Sequence, residues 1–365
     1  MEQTPVRTER NMGIEALRIV SMFMIVVLHV LGPGGVLSAV PVLSVRYQAA
    51  WLVEIACYCA VDCYALISGY VGRRSRFRCS RLAQLWLQMI FYTVLITAAF
   101  AVLQPGSITG LNWRSAALPV MTQQYWYLSA YFGLFFLLPV FNTALTHLNK
   151  RSLALLGAAI FCVYSLLPCL LQSDPFYLRS GYCMLWLCLL YVLGGVLAEC
   201  GAAGRIRTRT ALLGFCAAVL LTWGSKLVPE YLALCRTGET GVSDLLVSYT
   251  SPTVLAAAVL LLLLFAQLRV STTGRRILAR IAPAALGVYI IHVHPLVFTL
   301  CIEGRFAGLA AAPAALLLPE ALGAALVIYL ACTAAELLRA RIFLWLKVSE
   351  RLQALEQRMR QKIGL

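Results

Sequence analysis

Residues 253–268 read TVLAAAVLLLLLFAQL, with no charged side chain and five consecutive leucines at 260–264. Apolar runs of this kind recur along the chain. Many extend to about 20 residues, the length needed to cross a bilayer core roughly 30 Å thick. Across all 365 residues, 61% are apolar and only 12% are charged. A soluble domain of this size carries roughly twice that charged fraction. The class expected is therefore all-α: a polytopic membrane protein of about ten transmembrane helices.

The expected spans are 14–31, 49–71, 82–103, 125–145, 153–171, 182–199, 211–227, 253–268, 277–302 and 314–338. Gly and Pro mark the joints, as at Gly32-Pro33-Gly34-Gly35, Pro105-Gly106 and Pro313. Glu15 and Arg18 interrupt the first apolar run and further spans follow it, so it reads as an uncleaved first helix. Residues 1–340 form one membrane domain in this reading, with no soluble domain.

A net charge of +15 raises the question of nucleic acid. Counting answers it. With the N-terminus inside, 24 of the 30 Lys and Arg residues fall on inner segments. That is the positive-inside bias of a membrane protein with both termini in the cytoplasm, and no nucleic-acid partner is needed. Residues 341–365 are basic, with Leu344, Val348, Leu352, Leu355, Met359 and Ile363 at helical spacing. They read as an amphipathic helix lying on the anionic inner leaflet. The 13 cysteines fall mostly in apolar runs, without a CxxC pair or zinc spacing, so they read as packing residues and no metal is expected.

Ionisable groups inside a span cost a few kcal/mol each, which makes them functional candidates. Those that stand out are Arg18, His29, Glu54, Asp62, His292 and His294. Arg18 and His29 are eleven residues apart, about 16 Å of rise and three turns plus roughly 20°, so both face one side of the first helix. By the same rise, Glu54 lies near the depth of His29 and Asp62 nearer Arg18. Two pairings are expected: Glu54 orienting His29, and Asp62 neutralising Arg18. His292 and His294 precede Pro295, which frees a backbone carbonyl. The loop Arg73-Arg74-Ser75-Arg76-Phe77-Arg78-Cys79-Ser80-Arg81 carries five arginines in nine residues, a composition suited to phosphate.

Taken together, these segments resemble the acyltransferase-3 family of integral membrane acyltransferases. The matching pieces are Arg18 to His29, the run Ala60-Val61-Asp62-Cys63-Tyr64-Ala65-Leu66-Ile67-Ser68-Gly69-Tyr70, the arginine loop, Trp126-Tyr127-Leu128-Ser129-Ala130-Tyr131, and Leu286 to Pro295. The resemblance implies transfer of an acyl group, usually acetyl, from cytoplasmic acyl-CoA to a hydroxyl of an extracytoplasmic or lipid-linked glycan. It implies acyl-CoA as co-substrate, with no permanently bound cofactor, in a bacterial cytoplasmic membrane.

His29 matches the family's essential histidine and is expected to be catalytic with Glu54 and His292. Arg18, Arg73, Arg74, Arg76, Arg78 and Arg81 are expected to bind the donor. An Arg-x-x-Arg motif fits both Arg73/Arg76 and Arg78/Arg81. Asp62, Ser68, Trp126, Tyr127, Tyr131 and Tyr289 are expected to line the pocket. Many relatives carry an appended esterase-like domain. This chain is read without one, so transfer would be completed within the membrane unit. A second class stays open: a carrier of a small polar solute such as an amino acid, with Arg18, Asp62 and His29 lining its path. It would predict an inverted repeat, and none is visible in the sequence.

Overall fold

A computed structural model of the protein describes residues 10–104, 106, 108–239, 241 and 243–363. Arg7, Pro105, residues 364–365 and the side chain of Ile363, which entered the sequence reading, lie outside the described residues. Among the described residues every regular element is helical. The principal helices are α1 (Met12–Leu31), α2 (Val45–Tyr58), α3 (Ala60–Gly72), α4 (Cys79–Leu103), α5 (Trp126–His147) and α6 (Lys150–Leu171). They continue with α7 (Met184–Glu199), α8 (Thr208–Thr237), α9 (Pro252–Ala266), α10 (Thr272–His292), α11 (Ala314–Trp345) and α12 (Val348–Ile363).

The protein is an all-helical, multi-pass membrane protein. Among the described residues, seven stretches are long and apolar enough to cross a bilayer: Met12–Ala39, Val45–Gly72, Cys79–Leu103, Trp126–His147, Lys150–Leu171, Thr208–Thr237 and Ala314–Trp345. An eighth is broken: Thr272–His292 and Pro295–Ala311 meet at 67°. The two remaining apolar helices, α7 and α9, rise only about 23 Å. They lie inside the bundle. Trp186, Leu187 and Leu190 of α7 and Leu255, Ala258 and Leu262 of α9 are fully buried. The run of leucines that announces the membrane class is thus largely core.

Helix α1 runs through the middle, packed by α2, α3, α9, α10 and α11. Its start is fixed by Asn11. The side-chain oxygen accepts from the N–H groups of Gly13 (2.9 Å) and Ile14 (3.2 Å), an N-cap, while its amide donates to the carbonyl of Ala266 at the end of α9 (2.9 Å). Helices α3 and α7 cross at reciprocal glycines. A Cβ at Gly69 would collide with the carbonyl of Tyr191, and one at Gly194 with the carbonyl of Leu66. Small residues let membrane helices approach this closely.

A second lock is polar. Glu336 of α11, 2% exposed, accepts from Tyr92 Oη (2.8 Å) and Gln88 Nε2 (3.1 Å) of α4, and from Arg339 Nη2 (2.6 Å). A Cβ at Gly287 would stand in its carboxylate, so that glycine lets α10 close on the cluster. Because Arg339 turns inward to Glu336 and the Phe343 ring, basic residues do not end the helix at 340. It runs on to Trp345, and α12 follows separately.

Gly69→Ala is expected to cost about 1–3 kcal/mol through overpacking. Gly323→Ala, where an added methyl meets nothing within 4 Å, is expected to be neutral. Thermal unfolding of the two purified variants checks this, and equal midpoints would contradict the close crossing.

Candidate active site

Proline breaks the helix that carries His292. His294, before Pro295, leaves the helical region (φ −56°, ψ 127°), as a residue preceding proline does, and its Nδ1 accepts from the Leu296 N–H (3.3 Å). The carbonyl of Ile290, near the end of α10, accepts from Tyr125 Oη (3.0 Å). His294 and Tyr125 thus hold the break, and His292 stands at its lip, fully buried.

His292 meets His29. His29 Nδ1 and His292 Nε2 are 3.0 Å apart, and His292 Nδ1 is 2.6 Å from the carbonyl oxygen of Val288. The network sets the tautomers. A carbonyl only accepts, so His292 Nδ1 carries the proton. With both rings neutral, His292 Nε2 holds a lone pair and accepts from His29 Nδ1–H. His29 Nε2 is then the unprotonated nitrogen, and no described residue bonds to it. The Phe298 ring packs edge-on at 5.3 Å and fixes the imidazole from the side. An imidazole oriented in this way, with a free lone pair, is suited to act as a base.

The two pairings expected from depth alone are not made. Glu54 forms no hydrogen bond to either histidine, and its Oε2 is buried without a partner. Asp62 accepts from the indole N–H of Trp186 (3.0 Å), and Arg18 pairs with Glu15, three residues before it (3.2 Å). Equal depth does not bring side chains together when helices are rotated differently about their axes. The carboxylate nearest in sequence wins at Arg18, and the indole across α7 wins at Asp62.

The arginines converge on a cavity of about 880 Å³. Arg18, Arg73, Arg74, Arg76 and Arg81 line it, and Arg78 does not. Arg78 immediately precedes α4 in extended conformation. Four of the lining arginines are already engaged, Arg10 and Arg18 with Glu15 and Arg73 and Arg74 with Glu199. Glu199 accepts from Arg73 Nε (2.7 Å) and from Arg74 Nε (2.9 Å) and Nη2 (2.8 Å), and Arg73 also donates to the carbonyl of Tyr70. Among the described residues, the Arg76 and Arg81 side chains have no such partner, so they are the free cations of the site. Ser68, Tyr127 and Tyr131 line the same cavity. So do Tyr64, part of the run 60–70, and Tyr191, which no motif in the sequence marks. The Tyr64 hydroxyl is buried without a partner.

Trp126 instead packs on Tyr182 (4.8 Å), Tyr289 on Tyr125 and Tyr127 (6.1 Å each), and Asp62 lies outside the wall. A second cavity, of about 520 Å³, contains Gly32 and Glu54. His29 lines neither. On α1 it sits about 16 Å of rise beyond Arg18 and one turn before Gly32, between the two cavities.

The site is a histidine pair and a basic cavity set within an all-helical membrane unit. Comparison with protein families gives the assignment: the model for the acyltransferase-3 family, described as an acyltransferase domain, matches residues 11–336. The chain belongs to this family, and its chemistry is acyl transfer. Neither the curated proteins nor the solved structures gave a match.

Helix α12 closes on the arginine loop. Glu356 accepts from the backbone N–H of Cys79 (3.1 Å) and of Ser80 (3.3 Å), and Arg360 donates to the carbonyl of Phe77 (3.2 Å). Burial works to raise the Glu356 carboxyl, but the hydrogen bonds from Ser80, Arg360 and Cys79 outweigh it and hold the group below its usual value of 4.5. A lowered folded-state pKa means that the contact contributes fully above that value and is lost as pH falls through the lowered one. Amide exchange in α12, corrected for its intrinsic pH dependence, is expected to rise in acid for the parent and to be already raised at neutral pH in Glu356→Gln. Equal protection of the two at neutral pH would contradict the clamp.

Proposed function

We propose that this protein is an O-acyltransferase that moves an acyl group, acetyl in the first instance, from acyl-CoA to a hydroxyl of an extracytoplasmic or lipid-linked glycan. The observation that carries this reading is the histidine pair standing between two cavities of opposite character, one rich in arginine and one rich in carboxylates. In this reading the arginine-rich end faces the cytoplasm of a bacterial cell, following the bias of its basic residues. Exposed Leu344, Trp345, Leu355 and Met359 meet the lipid there.

The phosphates of acyl-CoA engage Arg76 and Arg81, with Arg18 deeper in the wall. The arm of the donor then runs toward Leu286, six residues before His292 on α10. The acceptor hydroxyl attacks the thioester carbonyl carbon while His29 Nε2 removes its proton. The tetrahedral adduct collapses, the C–S bond breaks, and the proton passes from His29 to the departing thiolate. Throughout, His292 Nε2 accepts from His29 Nδ1–H and stabilises the transient imidazolium, as a buried acceptor does in a catalytic triad. His292 cannot also donate to the oxyanion, because its Nε2 has no proton to give. His292 is therefore a positioning residue and His29 the catalytic base. Glu54 takes no part in orienting the imidazole.

Purified protein given radiolabelled acetyl-CoA and an envelope glycan fraction is expected to label the glycan. His29→Ala should lower the rate by about 10²–10⁴-fold, the range for loss of a general base. His292→Phe should lower kcat with little change in the KM for acetyl-CoA. Undiminished transfer by His29→Ala would contradict the mechanism.

A further inference from the structure

The cavity at the far end of α1 is built around a buried cation that the acyl-transfer steps do not use. Lys226 and Glu230, 2% and 1% exposed, sit one turn apart on α8. Lys226 Nζ donates to Glu230 Oε1 (2.9 Å), to Asp244 Oδ1 (3.2 Å) and to the carbonyl of Ser243 (3.3 Å). An ammonium has three protons, so its donors are spent. Its charge also lies 3.9 Å from the centroid of the Trp51 ring. Tyr47 Oη donates to Glu230 Oε2 (2.9 Å), so both oxygens of that carboxylate are occupied.

Among the described residues, two other carboxyl groups offer oxygens to a ligand. One is Asp244, whose side chain is 60% exposed at the rim. The other is Glu54, which is 7% exposed, lines the cavity, and buries Oε2 without a partner. Glu230 and Asp244 together outweigh the one ammonium, so the site disfavours an anion. What it offers is acceptor oxygens between the aromatic walls of Tyr47, Trp51 and Tyr58. That combination fits a neutral ring that presents O–H donors and apolar C–H faces.

We propose that this cavity binds an uncharged, hydroxyl-rich sugar ring, with Glu54 Oε2 accepting one of its O–H groups, and that it discriminates against acidic sugars. That this sugar is the acyl acceptor rests on the transfer reading given above. The placement accords with it. Gly32 belongs to the cavity wall, a Cβ there would stand 3.4 Å from Glu54 Oε1, and His29 is one helical turn back along α1.

The test is saturation-transfer NMR on the full-length protein in lipid nanodiscs with no acyl donor, using N-acetylglucosamine and glucuronic acid as probes of similar size. N-acetylglucosamine is expected to give a signal, and glucuronic acid about a tenth of it, the penalty of opposing like charges. Glu54→Ala should lower the N-acetylglucosamine signal roughly fivefold, the worth of about one buried hydrogen bond. Glu54→Gln keeps the shape and one acceptor oxygen. It should retain the neutral sugar.

Equal signals from both sugars, no signal from either, or parent-like binding by Glu54→Ala would overturn the proposal. Sugar binding by a protein that transfers no acyl group would leave the cavity assignment standing and remove the transfer reading. Transfer to a glycan by a protein that binds neither sugar would do the reverse.

Discussion

One carbonyl oxygen sets the direction of the site. Val288 O accepts a hydrogen bond from His292 Nδ1–H, so with both rings neutral His292 Nε2 accepts from His29, and His29 presents its bare Nε2 to whatever lies beyond. In a triad built around a carboxylate, the charge of the acid enforces the same orientation. Here a neutral imidazole does so, anchored by the backbone of its own helix. Burying a second carboxylate at this depth would cost several kcal/mol unless it were paired, and a histidine locked by a carbonyl avoids that cost.

The rest of the structure keeps that contact in register. Pro295 ends the helix just after His292, and Tyr125 and His294 bond the backbone around the break. Glu336, with Gln88, Tyr92 and Arg339, ties α4, α10 and α11 together one and a half turns from His292, where Gly287 makes room for the carboxylate. Asn11 ties the first turn of α1 to α9. Arg18, His29 and Gly32 then follow at fixed heights on one rigid rod. The two ends of that rod open into cavities of opposite charge, so polarity along α1 is set by composition, while the chemistry at its middle is set by hydrogen bonding.

Much of this was legible in the sequence, for reasons that differ from residue to residue. The membrane class follows from apolar run length, which is a local property. The shared face of Arg18 and His29 follows from helical pitch, also local, and both lie on the one helix α1. Partners across helices did not follow. Depth can be counted from residue number, but the rotation of one helix against another cannot, so Asp62 was matched to Arg18 and Glu54 to His29, where the structure has Trp186, Glu15 and His292. The Lys226–Glu230 pair was missed because the seventh span was expected to stop at 227, before Pro229. The helix instead carries that proline and runs to Thr237. The signal was present as a Lys and a Glu four apart in an apolar helix.

The central claim is a proton position, and nitrogen-15 NMR of histidine-labelled protein at neutral pH reads it directly. The account predicts that His29 carries its proton on Nδ1 with Nε2 bare, and that His292 likewise carries its proton on Nδ1. A His29 ring protonated on Nε2, or a His292 ring with Nδ1 bare, would contradict it.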